Sequence, residues 1–228
     1  MNKGKLALFL AAMLVCAPAK AQPTIDVDLA LVLLVDTSES VDESEFALQR
    51  VGLSAAFIDP TIIKAIAGGA LGRIAVTVVD FASVAQVVVP WQVISGPESS
   101  KEFASAIARA PRSTYVQVNT SISAGLMLSN RVIADSRYRA TRRVIDVSGD
   151  GGNNFDDYFN GETMESAQAM AKALKVTVNG LPILGSEDGV EEFYRKYVLS
   201  GTGSFLIPAS GLNDFGNAIR KKLVREIS

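Results

Sequence analysis

Histidine is absent from this 228-residue chain and cysteine occurs once. Without imidazole there can be no Ser-His-Asp triad, no histidine general base and no histidine metal ligand. A single thiol forms neither an intramolecular disulfide nor a zinc-thiolate cluster. A surplus of cations is lacking too: Lys+Arg number 22 against Asp+Glu 24, a formal net charge of -2. Sequence-independent binding to nucleic acid needs such a surplus, so that partner class is disfavoured. Phosphate cradles are missing as well: no G-x-G-x-x-G follows the first apolar run, and no G-x-x-x-x-G-K-[ST] occurs. Nor is there an S-x-x-K for a lysine-assisted serine nucleophile.

The chain is nonetheless rich in apolar residues, 48% hydrophobic against 20% charged, and long enough for one domain with a substantial core. Its start reads as an address. Lys3 and Lys5 precede the apolar run Leu6 to Cys16, and Ala19-Lys20-Ala21 has the A-x-A form of a cleavage site. These are the parts of a secretory signal peptide over residues 1–21, and the run is too short for the roughly 20 residues of a spanning helix. Cleavage removes Lys3, Lys5, Lys20 and Cys16, shifting the net charge from -2 to -5. An exported protein, periplasmic or secreted, is expected, with residues 22–228 as its one domain and no later transmembrane segment.

Leu29 to Val35 is seven apolar residues ending at Asp36, a strand buried on both faces as in parallel sheets. Asp42 and Glu45 have capping-box spacing, and Leu48, Val51, Ala55 and Ile58 predict the buried face of a helix stopped near Pro60. Arg73 to Phe81 and Val84 to Val89 are strands two residues apart, hence an antiparallel hairpin. Helices are expected over Glu98 to Ala108 and Ser121 to Ala134, then a strand over Val144 to Val147. A further helix carries Met164, Ala167, Ala171 and Leu174, and Val176 to Leu184 is a strand weakened by Gly180 and Pro182. Glu191 to Leu199 reads as helix, Ser204 to Ile207 as a short edge strand, and Phe215, Ile219, Leu223 and Ile227 as the inner face of a last helix. This alternation predicts an α/β fold: a doubly wound, mostly parallel sheet with one antiparallel edge strand and helices on both faces.

In such sheets ligands bind beyond the carboxyl ends of the strands. Asp36 and Asp150 stand at two of those ends. The segment Asp36-Thr37-Ser38-Glu39-Ser40 can turn three oxygen-bearing side chains toward one point, a donor set suited to a small hard cation. The alternative is that these residues form a strand-end turn and cap the next helix.

The arrangement resembles the von Willebrand factor A (vWA) domain, also seen in integrin I domains, over roughly Asp28 to Ser228. Its metal-ion-dependent adhesion site (MIDAS) is written D-x-S-x-S, then Thr, then Asp. Asp36, Ser38 and Ser40 match the first element. Thr120, in Asn119-Thr120-Ser121-Ile122-Ser123, matches the second, with Ser121 and Ser123 as alternatives. Asp150 before Gly151 matches the third, in competition with Asp146, Asp156 and Asp157. The resemblance implies a metal held directly by Ser38, Ser40 and Thr120, and by Asp36 and Asp150 mainly through water. It implies Mg²⁺, with Mn²⁺ and Ca²⁺ as alternatives, and an open position for an Asp or Glu carboxylate of a protein partner: recognition, not catalysis. Glu39, Asn119 and Gly149 stand where the pattern usually has Gly, Gly and Thr. A metal-dependent hydrolase of phosphate or sugar substrates, or a scaffold using the fold without the metal, are the other readings. Trp91 and Tyr115 are weighed as residues near the binding face against a core or edge role, and Asp156-Asp157 as a solvated pair.

Overall fold

The computed structural model describes residues 23–112, 118–157 and 160–228. The expected signal peptide and Tyr115 lie outside the described residues. Five strands, β1 (Ile25–Asp36), β2 (Ile74–Phe81), β3 (Ala85–Ile94), β4 (Tyr138–Gly149) and β5 (Thr177–Pro182), form one sheet in the order β3-β2-β1-β4-β5. Only the β2–β3 pair is antiparallel. The doubly wound, mostly parallel sheet with an antiparallel edge strand is therefore the fold.

Strand β1 lies at the centre because its run is apolar on both faces. Leu29, Leu31, Leu33 and Val35 face one layer, while Val32 and Leu34 face the other, as a two-residue side-chain period requires. The first layer packs α1 (Glu43–Phe57), α2 (Pro60–Ala67), α3 (Pro97–Arg109) and α7 (Phe215–Ile227) through Phe57, Ile62, Phe103 and Phe215. The second packs α4 (Ile122–Ala134), α5 (Met164–Ala173) and α6 (Val190–Phe193), which continues as a π-helical turn over Tyr194–Val198. Among the described residues no helix is long and apolar enough to cross a membrane.

Two local expectations are corrected and one is extended. Leu48, Val51 and Ile58 are exposed, Val51 at 64%; α1 instead buries Gln49, Arg50, Gly52, Leu53, Ala56 and Phe57. The buried Arg50–Asp80 ion pair holds that face inward, and a Cβ at Gly52 would lie 3.1 Å from the Cα of Gly216, so α1 and α7 approach closely. Pro60 does not merely stop α1. It is the first residue of α2, capped by Asp59, a place where its missing N–H costs nothing. Ser204 to Ile207 is no sixth strand: a single isolated bridge, Gly180 with Leu206, joins this segment to β5.

Candidate metal centre

Strands β1 and β2 wind one way from the centre and β4 and β5 the other, so the crevice beyond the carboxyl ends of β1 and β4 is the topological switch point. Asp36 is the last residue of β1 and Asp150 the first beyond β4. Both are buried, at 0% and 1% exposure.

The loop after Asp36 curls back on itself. The Ser38 amide donates to Asp36 Oδ1 at 2.9 Å, and the Ser38 and Ser40 hydroxyls stand 3.2 Å apart. The Ser40 hydroxyl donates to Asp150 Oδ1 at 3.0 Å, across 110 residues of sequence. Ser38 is buried and Ser40 exposed, so this chain of oxygens runs from the core to the surface. The loop is anchored twice. The Thr37 amide donates to the Phe81 carbonyl at the end of β2, and one nitrogen of Arg112 donates to the carbonyls of Thr37, Ser38 and Val41 at 3.0, 2.9 and 2.6 Å. Asp42 then caps α1 in a capping box with Glu45, as the spacing predicts.

Thr120 arrives on a third loop. Its amide donates to Asn154 Oδ1 at 2.8 Å, and the Asn154 amide donates back to its carbonyl at 2.9 Å, which fastens this loop to the turn that follows Asp150. Ser121, not Thr120, caps α4 by accepting from the Ala124 amide. Ser123 donates to the Phe155 carbonyl at 3.3 Å. The two competing serines thus have structural work, whereas the Thr120 hydroxyl makes no hydrogen bond among the described residues and Thr120 is 7% exposed.

The other competitors are drawn elsewhere. Asp146 lies buried in β4 and binds Lys222. Asp156 accepts from the Asn153 side chain, and Asp157 pairs with Asn160 and bridges to Glu162; both acids are half-buried rather than solvated. Trp91, on β3, packs its ring 5.5 Å from that of Tyr138 at the start of β4, tilted by 54°, at the end of the sheet away from Asp36, and has the core-edge role.

Two residues of this site carry no motif in the sequence. Arg112 is one. The other is Tyr194, fully buried, whose hydroxyl has no hydrogen-bond partner among the described residues. A Cβ added at Gly149 would lie 2.8 Å from that hydroxyl and 2.7 Å from Asp36 Oδ2, and one at Gly180 would lie 2.8 Å from the Tyr194 ring. The glycines of β4 and β5 are the sequence signal: both make room for one tyrosine beside Asp36.

The donor set fits a hard divalent cation. Among the described residues, Asp36 Oδ2 and Asp150 Oδ2 are both buried without a hydrogen-bond partner, an expensive arrangement unless a cation faces them. Burial pushes the Asp36 carboxyl up to about 7, only partly offset by its bonds from Ser38, and the nearby Asp150 charge adds to the rise. Two carboxylates with hydroxyls between them balance a divalent charge and supply the oxygen ligands it prefers. Among the described residues no cluster of three or more carboxylate, imidazole or thiolate groups occurs, so a metal here would rely on serine and threonine hydroxyls.

The family profile described as "Protein of unknown function (DUF1194)" matches residues 26–228. No curated protein matches the sequence. Solved structures of similar fold include proximal thread matrix protein 1 (PTMP1) from the mussel byssus, with a TM-score of 0.61, 15% identity and coverage of 88% of this chain and 46% of that one. A second form of that protein has a zinc-occupied MIDAS motif (TM-score 0.59, 16% identity, with 88% of this chain and 46% of that one covered). A von Willebrand factor type A structure from Catenulispora acidiphila matches with a TM-score of 0.60, 14% identity and coverage of 88% and 43%. The vWF domain of the type V pili tip protein Mfa5 from Porphyromonas gingivalis matches with a TM-score of 0.55, 12% identity and coverage of 90% and 98%. This chain spans less than half the length of the mussel and Catenulispora chains. At such identities the likeness is one of fold, and that fold is vWA-like.

Proposed function

This chain belongs to the family described as protein of unknown function (DUF1194), and from its vWA-like fold and strand-end geometry we propose that it is an exported binding module that holds a divalent cation and engages a protein partner through it. Ser38, Ser40 and Thr120 would hold the ion directly, with Asp36 and Asp150 supplying the balancing charge. The cation, Mg²⁺ in preference to Mn²⁺ or Ca²⁺, would act as a Lewis acid that accepts one oxygen ligand from outside. Asp36 and Ser38, fully buried, preset the inner wall, and Ser40 at the surface marks the side open to a partner.

The observation that carries this reading is a pair of buried oxygens without a hydrogen-bond partner among the described residues, Asp36 Oδ2 and Asp150 Oδ2, on carboxylates whose other oxygens are held by the Ser38 amide and the Ser40 hydroxyl. The exposed apolar residues Val118 (63%) and Phe155 (39%), next to the Thr120 loop, support a protein as the partner. A zinc-occupied MIDAS motif in the mussel neighbour and the pilus-tip role of the Mfa5 neighbour are consistent with both halves of the proposal. Residues 1–21 are the proposed export signal, placing the mature chain in the periplasm or outside the cell.

Calorimetric titration with Mg²⁺ tests the first half. The wild-type chain should give heats that saturate near one ion per chain, and Asp36→Asn should give none; equal heats in both would end the proposal. Capture of a partner from an exported-protein extract should be lost in EDTA and restored by Mg²⁺.

A further inference from the structure

A second concavity lies at the other end of the sheet. Two adjoining cavities, of about 600 Å³ and about 360 Å³, open along β5 and share Lys175, Thr177 and Thr202 in their walls. Val144 pairs with Thr177 here, six residues before Asp150 and so roughly 20 Å from it along β4. The walls carry five cations from three elements: Arg142 and Arg143 of β4, Lys172 and Lys175 at the end of α5, and Arg225 of α7. Among the described residues none of the five forms an ion pair with a carboxylate. The one acid in the walls, Glu226, is buried and bound by Lys222 at 2.7 Å and by Asn179 at 2.9 Å. It shares Lys222 with Asp146, and its Oε2 is buried without a hydrogen-bond partner among the described residues.

The arginines are oriented rather than loose. Arg142 donates from one nitrogen to the Ile227 carbonyl at 3.0 Å, and Arg143 from one nitrogen to the Leu174 carbonyl at 3.2 Å. The guanidinium of Arg225 stacks 3.8 Å above the Phe205 ring. Each contact fixes a planar fork and leaves further N–H donors for a ligand. Capping of helix ends accounts for the Arg142 and Arg143 contacts, but not for Lys172, Lys175, Arg225 or the space between them.

Lys175 supplies an independent sign. Its φ of 55° makes it the one non-glycine residue with positive φ among the described residues. This left-handed position ends α5, and glycine fills it without the steric penalty of a Cβ. Backbone strain of this kind is enriched at binding and catalytic sites. Here the side chain is a cation on the wall common to both cavities.

We propose that this cleft binds a phosphate-bearing anion. Guanidinium forks and ammonium groups from three elements, with the hydroxyls of Thr177 and Thr202 beside them, offer more donors than the two oxygens of a single carboxylate can accept and suit a group with several charged oxygens. The site is separate from Asp36 and Asp150 and needs no metal, so its test stands apart from that of the metal centre.

The probe is inorganic pyrophosphate, titrated into the full chain by calorimetry in EDTA, with vesicles of phosphatidylcholine with and without phosphatidic acid as a second arm. Pyrophosphate should bind the wild type and weaken with added salt. Lys175→Gly should raise the thermal midpoint without ligand, because it relieves the backbone, and still weaken binding at least fivefold. Arg225→Gln should weaken it similarly, while Lys101→Gln, on α3 outside the cleft, should not. Vesicle binding that needs phosphatidic acid and is lost in both cleft variants assigns a lipid headgroup, and pyrophosphate binding alone a free phosphate; either supports the site. No binding in either arm, binding indifferent to Lys175→Gly and Arg225→Gln, or citrate bound as tightly as pyrophosphate would overturn it.

Discussion

Gly149 and Tyr194 occupy one space: a Cβ on the former would fall 2.8 Å from the hydroxyl of the latter, closer than side-chain atoms tolerate. The vWA pattern usually has Thr where Gly149 stands. The tyrosine hydroxyl fills that space instead, arriving from the π-helical turn after α6, and burial together with the Asp36 and Asp150 charges pushes its pKa well up, so it stays protonated and able to donate.

Restoring a side chain at position 149 should therefore be harmful. Gly149→Ala is expected to destabilise the protein by about 1–3 kcal/mol, the usual range for overpacking a filled interior. Tyr194→Phe, which removes the oxygen that the new Cβ meets, should recover part of the loss in the double variant. Denaturant unfolding of the four proteins measures this coupling, and strictly additive effects would show that the two residues do not share the space.

Arg112 holds the loop from Thr37 to Val41 through three main-chain carbonyls, so it sets where Ser38 and Ser40 point without being a ligand. Arg112→Ala should leave the far-ultraviolet circular dichroism unchanged and weaken Mg²⁺ binding about 10–100-fold, the usual effect of losing a group that orients metal ligands. Titration calorimetry gives the ratio directly. Unchanged affinity would make Arg112 a plain surface anchor.

The corrected face of α1 gives a sharp contrast. Leu53→Ala, in the core between the sheet and α7, should cost about 2–4 kcal/mol, whereas Val51→Ala, two residues away and 64% exposed, should change stability by less than about 0.5 kcal/mol. Comparable losses at the two positions would restore the periodicity reading.

That contrast also shows what the sequence could and could not reveal. Strand β1 was legible because an apolar run with both faces buried has few alternatives, and the meeting of Asp36, Ser38, Ser40 and Asp150 was legible because two of them stand at the ends of neighbouring strands of one sheet. The face of α1 was not. Leu48, Val51 and Ile58 lie at helical spacing, yet the buried side is chosen by Arg50 meeting Asp80 and by Gly52 meeting Gly216, contacts made across long stretches of chain. Tyr194 and Arg112 were hidden for the same reason. Each acts on Asp36 or its loop from more than 70 residues away, and only the glycines at 149 and 180 hint at the tyrosine.

The buried trio Asp146, Lys222 and Glu226 leads to a pH prediction. Lys222 binds both carboxylates, so one cation faces two acids. Burial, and next the Glu226 charge, pushes Asp146 up to about 8. In the unfolded chain the same carboxyl titrates near 3.9. Between those values the native state holds a proton that the unfolded state has released, so stability falls as pH rises from about 5 to 8, by at most about 1.4 kcal/mol per pH unit for one proton. Asp36 and Asp80 are raised as well and act in the same direction, so the slope of the wild type alone does not isolate the trio. The difference between wild type and Asp146→Asn does, because asparagine can still accept from Lys222 but cannot titrate. Urea unfolding at pH 5, 6, 7 and 8 should give a shallower decline for Asp146→Asn. Parallel lines for the two proteins would mean that Asp146 stays ionised and that Lys222 alone satisfies both acids.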